Sequence, residues 1–300
     1  MERRRSARTP FRKHRRTRER VHALGVEMDL VRPEEVMLHV TASIEAGQPF
    51  CVANYNAHGV YLAHKNQEFS KFCETADVIE VDSTPIIFFT RMLGLHARPF
   101  HRCTYLDWRE HFWSLAQREG WRIFYLGGAP GVAETAAERL RLDYPNAVIE
   151  TRDGFFDPAA GSAENAAVLA QISAFRPQVL FVGMGMPRQE AWLLHNAPIL
   201  PTCVTFSVGA AFDYEAGIQV AAPRWMGRAG LEWLFRLLHD PRRLFGRYCV
   251  EPWTLLPVAL ADIWLAACQG RLFRGPHPLA RGYQPRDQGS LNAEISRLAD

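Results

Sequence analysis

The strongest constraint on this chain is a repeated unit: a short apolar run, a turn, then a segment of helical character. Apolar runs lie at 49–53, 78–81, 121–126, 147–150, 179–182 and 204–208. A helical segment at 33–46 precedes them, and others at 69–75, 85–93, 108–119, 132–143 and 162–175 fall between them. Strands alternating with helices of this kind build βαβ units and a parallel sheet. The expected fold is α/β, a Rossmann-like parallel sheet flanked by helices.

Open parallel sheets bind ligands at the carboxyl ends of their strands. The residues just after each apolar run are therefore the functional candidates. Four clusters stand out: Asn54, Asn56 and His58; Asp82, Ser83 and Thr84; Gly127, Gly128 and Gly131; and Gly185, Gln189 and Glu190. The last belongs to Gly183-Met184-Gly185-Met186-Pro187-Arg188-Gln189-Glu190, where proline stiffens a glycine turn just before a helix.

Each cluster has a bland alternative. Asp82 ends an apolar strand, where a carboxylate in a cleft can take up a proton. Asp-Ser-Thr-Pro is equally good sequence for capping the next helix. The glycine loop after 126 suits a phosphate facing a helix N-terminus. It does not fit G-x-G-x-x-G, and such glycines often serve only a turn. His58 and His101 are acid/base candidates or hydrogen-bonded scaffold.

Composition removes several classes. The six cysteines are scattered without a C-x-x-C pair, which points to reduced thiols. The eleven histidines show no metal-ligand spacing, and neither a metal nor a cofactor is expected. A nicotinamide-dependent oxidoreductase would need an acid about twenty residues past the glycines. Glu150 is roughly there, but the loop pattern is wrong.

Ten of the first twenty residues are Arg or Lys. No apolar stretch follows them, so a secretory signal is not expected. Residues 1–22 are expected to be a disordered basic tail, or a segment drawn to anionic lipid or nucleic acid. The α/β domain is expected over 23–217, a basic and aromatic helical appendage over 218–274, and a disordered tail over 275–300. Residues 253–267 are strongly apolar, yet too few for the ~20 that span a bilayer, and Asp262 lies among them. A helix lying in the membrane interface or packed on the domain is expected there. No D-x-D pair is present to bind a metal-bound sugar nucleotide. Any diphosphate would rely on the C-terminal arginines, whose guanidinium groups suit phosphate oxygens.

Gly185-Met186-Pro187-Arg188-Gln189-Glu190 resembles the G-x-P-[KR]-Q-E signature of the WecG/TagA/CpsF bacterial glycosyltransferases. The resemblance runs from about Asp29 to Leu256. It includes Asn56-Ala57-His58; Asp82 and Pro85; Arg102, Thr104 and Asp107; the 126–131 loop; 208–213; and the arginine-rich segment 222–244. It implies an inverting, metal-independent transferase, peripheral on the inner face of the cytoplasmic membrane. The enzyme would move a sugar from a UDP-sugar donor to a polyprenyl-diphosphate-sugar acceptor. A homo-oligomer is left open and no nucleic-acid partner is expected. By resemblance, Asp82 is the general base and Gln189 is important for activity. Arg236 and Arg243 close over the diphosphate. Asn54, Asn56, Ser83, Arg102, Thr104, Gly127, Gly128, Gly185, Glu190 and Asp213 are expected around the substrates.

The chain departs from the family pattern at Asn54, Ser83 and Tyr105, near the sugar-binding edge. Transfer of a hexose or N-acetylhexosamine in exopolysaccharide or surface-polysaccharide synthesis is the first expectation. The alternative is N-acetylmannosaminyl transfer of the cell-wall or enterobacterial-antigen type.

Overall fold

The computed structural model describes residues 19–274, apart from 221, 224, 225 and 227–229. The chain enters as an antiparallel hairpin, β1 (Glu19–Ala23) and β2 (Val26–Leu30). The hairpin begins inside the segment expected to be a tail. Val21, Ala23, Val26, Met28 and Leu30 are all buried in it. Asp29, with no exposed surface, accepts from Arg20 and from the backbone N–H of Ile79. This ties the hairpin to the edge of the main sheet and covers backbone that would otherwise be unpaired. Residues 1–18 and 275–300, the rest of the expected tails, lie outside the described residues.

Six parallel strands follow: β3 (Phe50–Tyr55), β4 (Val78–Val81), β5 (Arg122–Gly127), β6 (Val148–Arg152), β7 (Val179–Gly183) and β8 (Val204–Ser207), in the order β4-β3-β8-β7-β5-β6. β5 leads outward to β6, whereas β7 leads to β8 on its other side. The order therefore reverses between β5 and β7, and the expected Rossmann-like α/β sheet is present.

Alternation along the strands sends side chains into two layers. One layer packs against α1 (Pro33–Glu45), α5 (Tyr105–Glu119), α6 (Val132–Asp143) and α9 (Ala211–Glu215). Its centre is aromatic: Trp108, Phe112, Trp113, Phe181, Phe206 and Phe212. Each such side chain contributes about 1.5–3 kcal/mol on burial. The other layer packs against α2 (Ala57–Lys65), α3 (Gln67–Thr75), α4 (Thr84–Met92), α7 (Ala163–Phe175) and α8 (Arg188–Asn196).

The C-terminal segment is helical: α10 (Glu232–His239), α11 (Pro241–Phe245), a π turn over Gly246–Val250, α12 (Glu251–Thr254) and α13 (Leu256–Cys268). It packs on the domain. Leu255 and Ala266 are buried in the core layer that also holds the hairpin. Asp262 accepts from the Leu24 backbone N–H at 2.6 Å, which explains the lone acid in an apolar run. Glu251 meets His58 at 2.6 Å. The other side of the segment leaves Trp253 at 71%, Leu260 at 55% and Trp264 at 68% exposed. No single described helix is long and apolar enough to cross a membrane; Pro241–Thr254 and Leu256–Cys268 pass by length and composition only as a pair bent by 45°.

Candidate active site

Asp82 follows the last residue of edge strand β4, and its backbone N–H is held by the Tyr55 carbonyl at 2.7 Å. It does not cap α4. The cap position is Ser83, which makes no side-chain cap bond. The Asp82 carboxyl instead faces Arg102 at 3.5 Å and keeps 22% of its surface open. Arg102 sits on a short strap that pairs with β4 through Val81, and the Cys103 N–H donates to the Val81 carbonyl. The strap leads into α5, where the Thr104 hydroxyl donates to Asp107 at 2.9 Å.

The C-terminal segment completes this cluster. Glu232 of α10 accepts from Arg102 at 2.7 Å and from Arg236 at 2.6 Å. Arg236 also donates to the Tyr214 hydroxyl at 2.7 Å. A carboxylate, two guanidinium groups and a phenol from distant parts of the chain thus meet over the β4 end. Burial pushes the Asp82 carboxyl up from 3.8 to about 7. Glu232 adds to the rise, Arg102 and Arg236 oppose it, and Asp107 adds a smaller push. A carboxyl with that affinity can accept a proton near neutrality and release it again.

Asn54 lies next to Glu80 across the β3–β4 pair, one turn of the pleat below Asp82. Asn56 is committed differently: its Oδ1 caps α2 by accepting from the Gly59 N–H at 2.9 Å. Ser83, next to Asp82 in sequence, and Thr104, on the strap, are both largely buried. Asp213, on α9, is raised by burial and lowered by Arg243. Arg243 itself points outward, with 64% of its side chain exposed, and pairs with Asp240. It is not part of the cluster around Asp82.

The glycine loop has a packing reason of its own. At Gly127, φ is +156° and a Cβ would lie 2.4 Å from the Gly183 carbonyl oxygen, so β5 and β7 could not close. Gly185, at φ +81°, faces open space.

Gln189 stands apart from the expectation of a catalytic role. It has no exposed surface. Its Oε1 accepts from the N–H groups of Gly185 and Gly209, both at 3.2 Å, and its Nε2 donates to Glu190 at 2.7 Å. It joins the loops after β7 and β8 from below. Glu190 is equally buried, and burial pushes its carboxyl to about 7. Arg188 donates to the Phe156 carbonyl and lies over the Phe156 ring. The Met186–Pro187 peptide is cis. His101 is a buried scaffold residue bonded to the Arg98 N–H, and His58 is taken by Glu251.

Sequence reasoning missed Tyr214 and Glu232. Tyr214 follows the quoted Asp213, and Glu232 stands four residues before Arg236, the spacing of a helical ion pair. Among the described residues, no group of three or more His, Cys, Asp or Glu is arranged to hold a metal ion.

A parallel α/β sheet with a carboxyl and two arginines gathered at its carboxyl edge has the groups needed to accept a proton and to face an anion. The comparison with known proteins is specific: residues 21–268 match the model of the Glycosyl transferase WecG/TagA/CpsF family, and the chain belongs to that family. It is a glycosyltransferase. Its curated relatives include the N-acetylglucosaminyldiphosphoundecaprenol N-acetyl-beta-D-mannosaminyltransferases of Staphylococcus aureus strains MW2 and MRSA252. Each is 26% identical over 253 residues, covering 81% of this chain and 93% of the relative.

Proposed function

We propose that this chain transfers an N-acetyl-D-mannosaminyl or closely related residue from a UDP-sugar to a polyprenyl-diphosphate-linked sugar. The names of the relatives favour this reading over hexose transfer in exopolysaccharide synthesis, the first expectation from sequence. The observation that carries the mechanism is Asp82 beside Arg102 and Arg236, with its carboxyl raised to about 7. The acceptor hydroxyl attacks the anomeric carbon from the face opposite the leaving group. Asp82 takes the hydroxyl proton, the new C–O bond forms, and the bond to UDP breaks. UDP leaves with the electron pair, and Arg236 and Arg102 face the charge that develops. Glu232 now neutralises both arginines, so the diphosphate competes with it for them.

The exposed face of α12 and α13 supports peripheral attachment to the inner face of the cytoplasmic membrane, where a polyprenyl acceptor resides. Contiguous exposed apolar surface of this kind fits an interfacial helix.

A panel of UDP-sugars, offered with polyprenyl-diphosphate-N-acetylglucosamine and followed by UDP release with and without EDTA, tests the assignment. UDP-N-acetylmannosamine is expected to give the highest kcat/KM, unaffected by EDTA. Preference for UDP-glucose would restore the hexose reading, and loss of turnover in EDTA would contradict the metal-free mechanism.

A further inference from the structure

One buried ionisable group has no part in the mechanism above. Glu80 lies two residues before Asp82 on β4 and is only 3% exposed. Period-two alternation puts both carboxyls on the face that packs against α5. No arginine, lysine or histidine pairs with Glu80 among the described residues. Its polar neighbours are the Cys103 thiol, which donates to Oε1 at 3.1 Å, and the Asn54 amide. The Trp108 indole N–H, which makes no hydrogen bond of its own, lies near enough to the same carboxyl to lower its proton affinity. A carboxyl buried here without a cation is costly when ionised, and only its hydrogen bonds or a bound proton offset that cost.

We infer that Glu80 is a positioning residue for the transfer: a second carboxyl behind Asp82 that ties the strap bearing Arg102 to β4 through Cys103, and whose charge acts on Asp82. The inference rests on the assignment of Asp82 as the base. The strap is fastened to β4 twice at Cys103, through its N–H to the Val81 carbonyl and through its thiol to Glu80, and Arg102 is the residue just before that double anchor.

The electrostatics agree. Burial pushes Glu80 up to about 7, the same region as Asp82, and the Asp82 charge adds to the rise. Asp82 owes its own rise chiefly to burial and Glu232, but repulsion is mutual: two carboxyls two residues apart on one face titrate as a pair. When Asp82 accepts the hydroxyl proton, the repulsion between the two is relieved, which favours the transfer. The groups facing the pair from other elements are Arg102 and Cys103 on the strap, Asp107 and Trp108 on α5, Asn54 on β3, and Glu232 and Arg236 on α10.

Glu80→Gln keeps shape and removes charge. The acidic limb of its kcat/KM profile is expected about one pH unit below that of the parent enzyme, because the repulsion that raised the pair is gone. A limb that coincides with the parent's overturns the inference, whatever happens to the absolute rate. If the variant fails to fold or to turn over, the parent and Asp82→Asn proteins decide, labelled with δ-¹³C glutamate. The Glu80 carboxyl resonance is expected to titrate at lower pH in Asp82→Asn, and an unchanged midpoint overturns the inference. Full turnover by Asp82→Asn is a separate outcome, and it would remove the base assignment itself.

Discussion

Glu232 holds the cations of the site in check. It bonds Arg102 and Arg236 and raises the Asp82 carboxyl by repulsion. Glu232→Gln should therefore tighten UDP binding severalfold and move the acidic limb of kcat/KM to lower pH. Calorimetric titration with UDP and a pH profile would show both. Gln189 works from beneath. Gln189→Ala would leave the N–H groups of Gly185 and Gly209 and the Glu190 carboxyl without their partner. The expected loss of stability is about 1–3 kcal/mol, with a raised donor KM, measurable by urea unfolding and steady-state kinetics. Of the residues singled out from sequence, Asp82, Arg102 and Arg236 converge: Asp82 at the end of β4, Arg102 on the strap paired to that strand, and Arg236 on the helix packed over it. The roles of Gln189 and Asn56 were not legible. A polar side chain after a strand looks the same in sequence whether it faces a ligand or bonds backbone below the surface.

At the scale of elements, the C-terminal helices do two things with two faces. The inner face supplies Glu232 and Arg236 to the site and locks onto the N-terminal hairpin through Asp262. The outer face presents Trp253, Leu260 and Trp264. Leu260→Asp combined with Trp264→Asp should abolish co-sedimentation with anionic vesicles. Turnover on a water-soluble short-chain acceptor should survive. Loss of both together would mean that this face is needed for folding. The apolar run and its lone acid were visible in the sequence, but the partner of Asp262 was not. The hairpin it meets alternates apolar residues around Leu24-Gly25, a period-two signal masked by the neighbouring basic run. The sheet was legible throughout, since each buried parallel strand is a near-continuous apolar run.

At the scale of the whole molecule, the carboxyls of Glu80 and Glu190, which are buried, and of Asp82, which is partly open, have proton affinities raised to about 7, chiefly by desolvation. The folded state binds protons that the unfolded chain gives up at its ordinary values of 4.5 for glutamate and 3.8 for aspartate. Their contribution to stability is full below those values and is lost as pH rises through about 7. The melting temperature should thus fall between pH 5 and pH 7.5, and Glu190→Gln should flatten that slope. A melting temperature that climbs over the same range in the parent would show that these groups are ionised in the folded protein. Activity requires Asp82 ionised, so the enzyme is expected to gain turnover over the interval in which it loses stability.

The central claim is that Asp82 takes the proton of the acceptor hydroxyl. Single-turnover transfer by Asp82→Asn, measured beside calorimetric UDP binding to the same protein, tests it most directly. The account predicts that transfer falls by about 10²–10⁴-fold, the usual contribution of a general base, while UDP affinity stays within a few-fold of the parent. Transfer at the parental rate by a variant that binds UDP normally would contradict it.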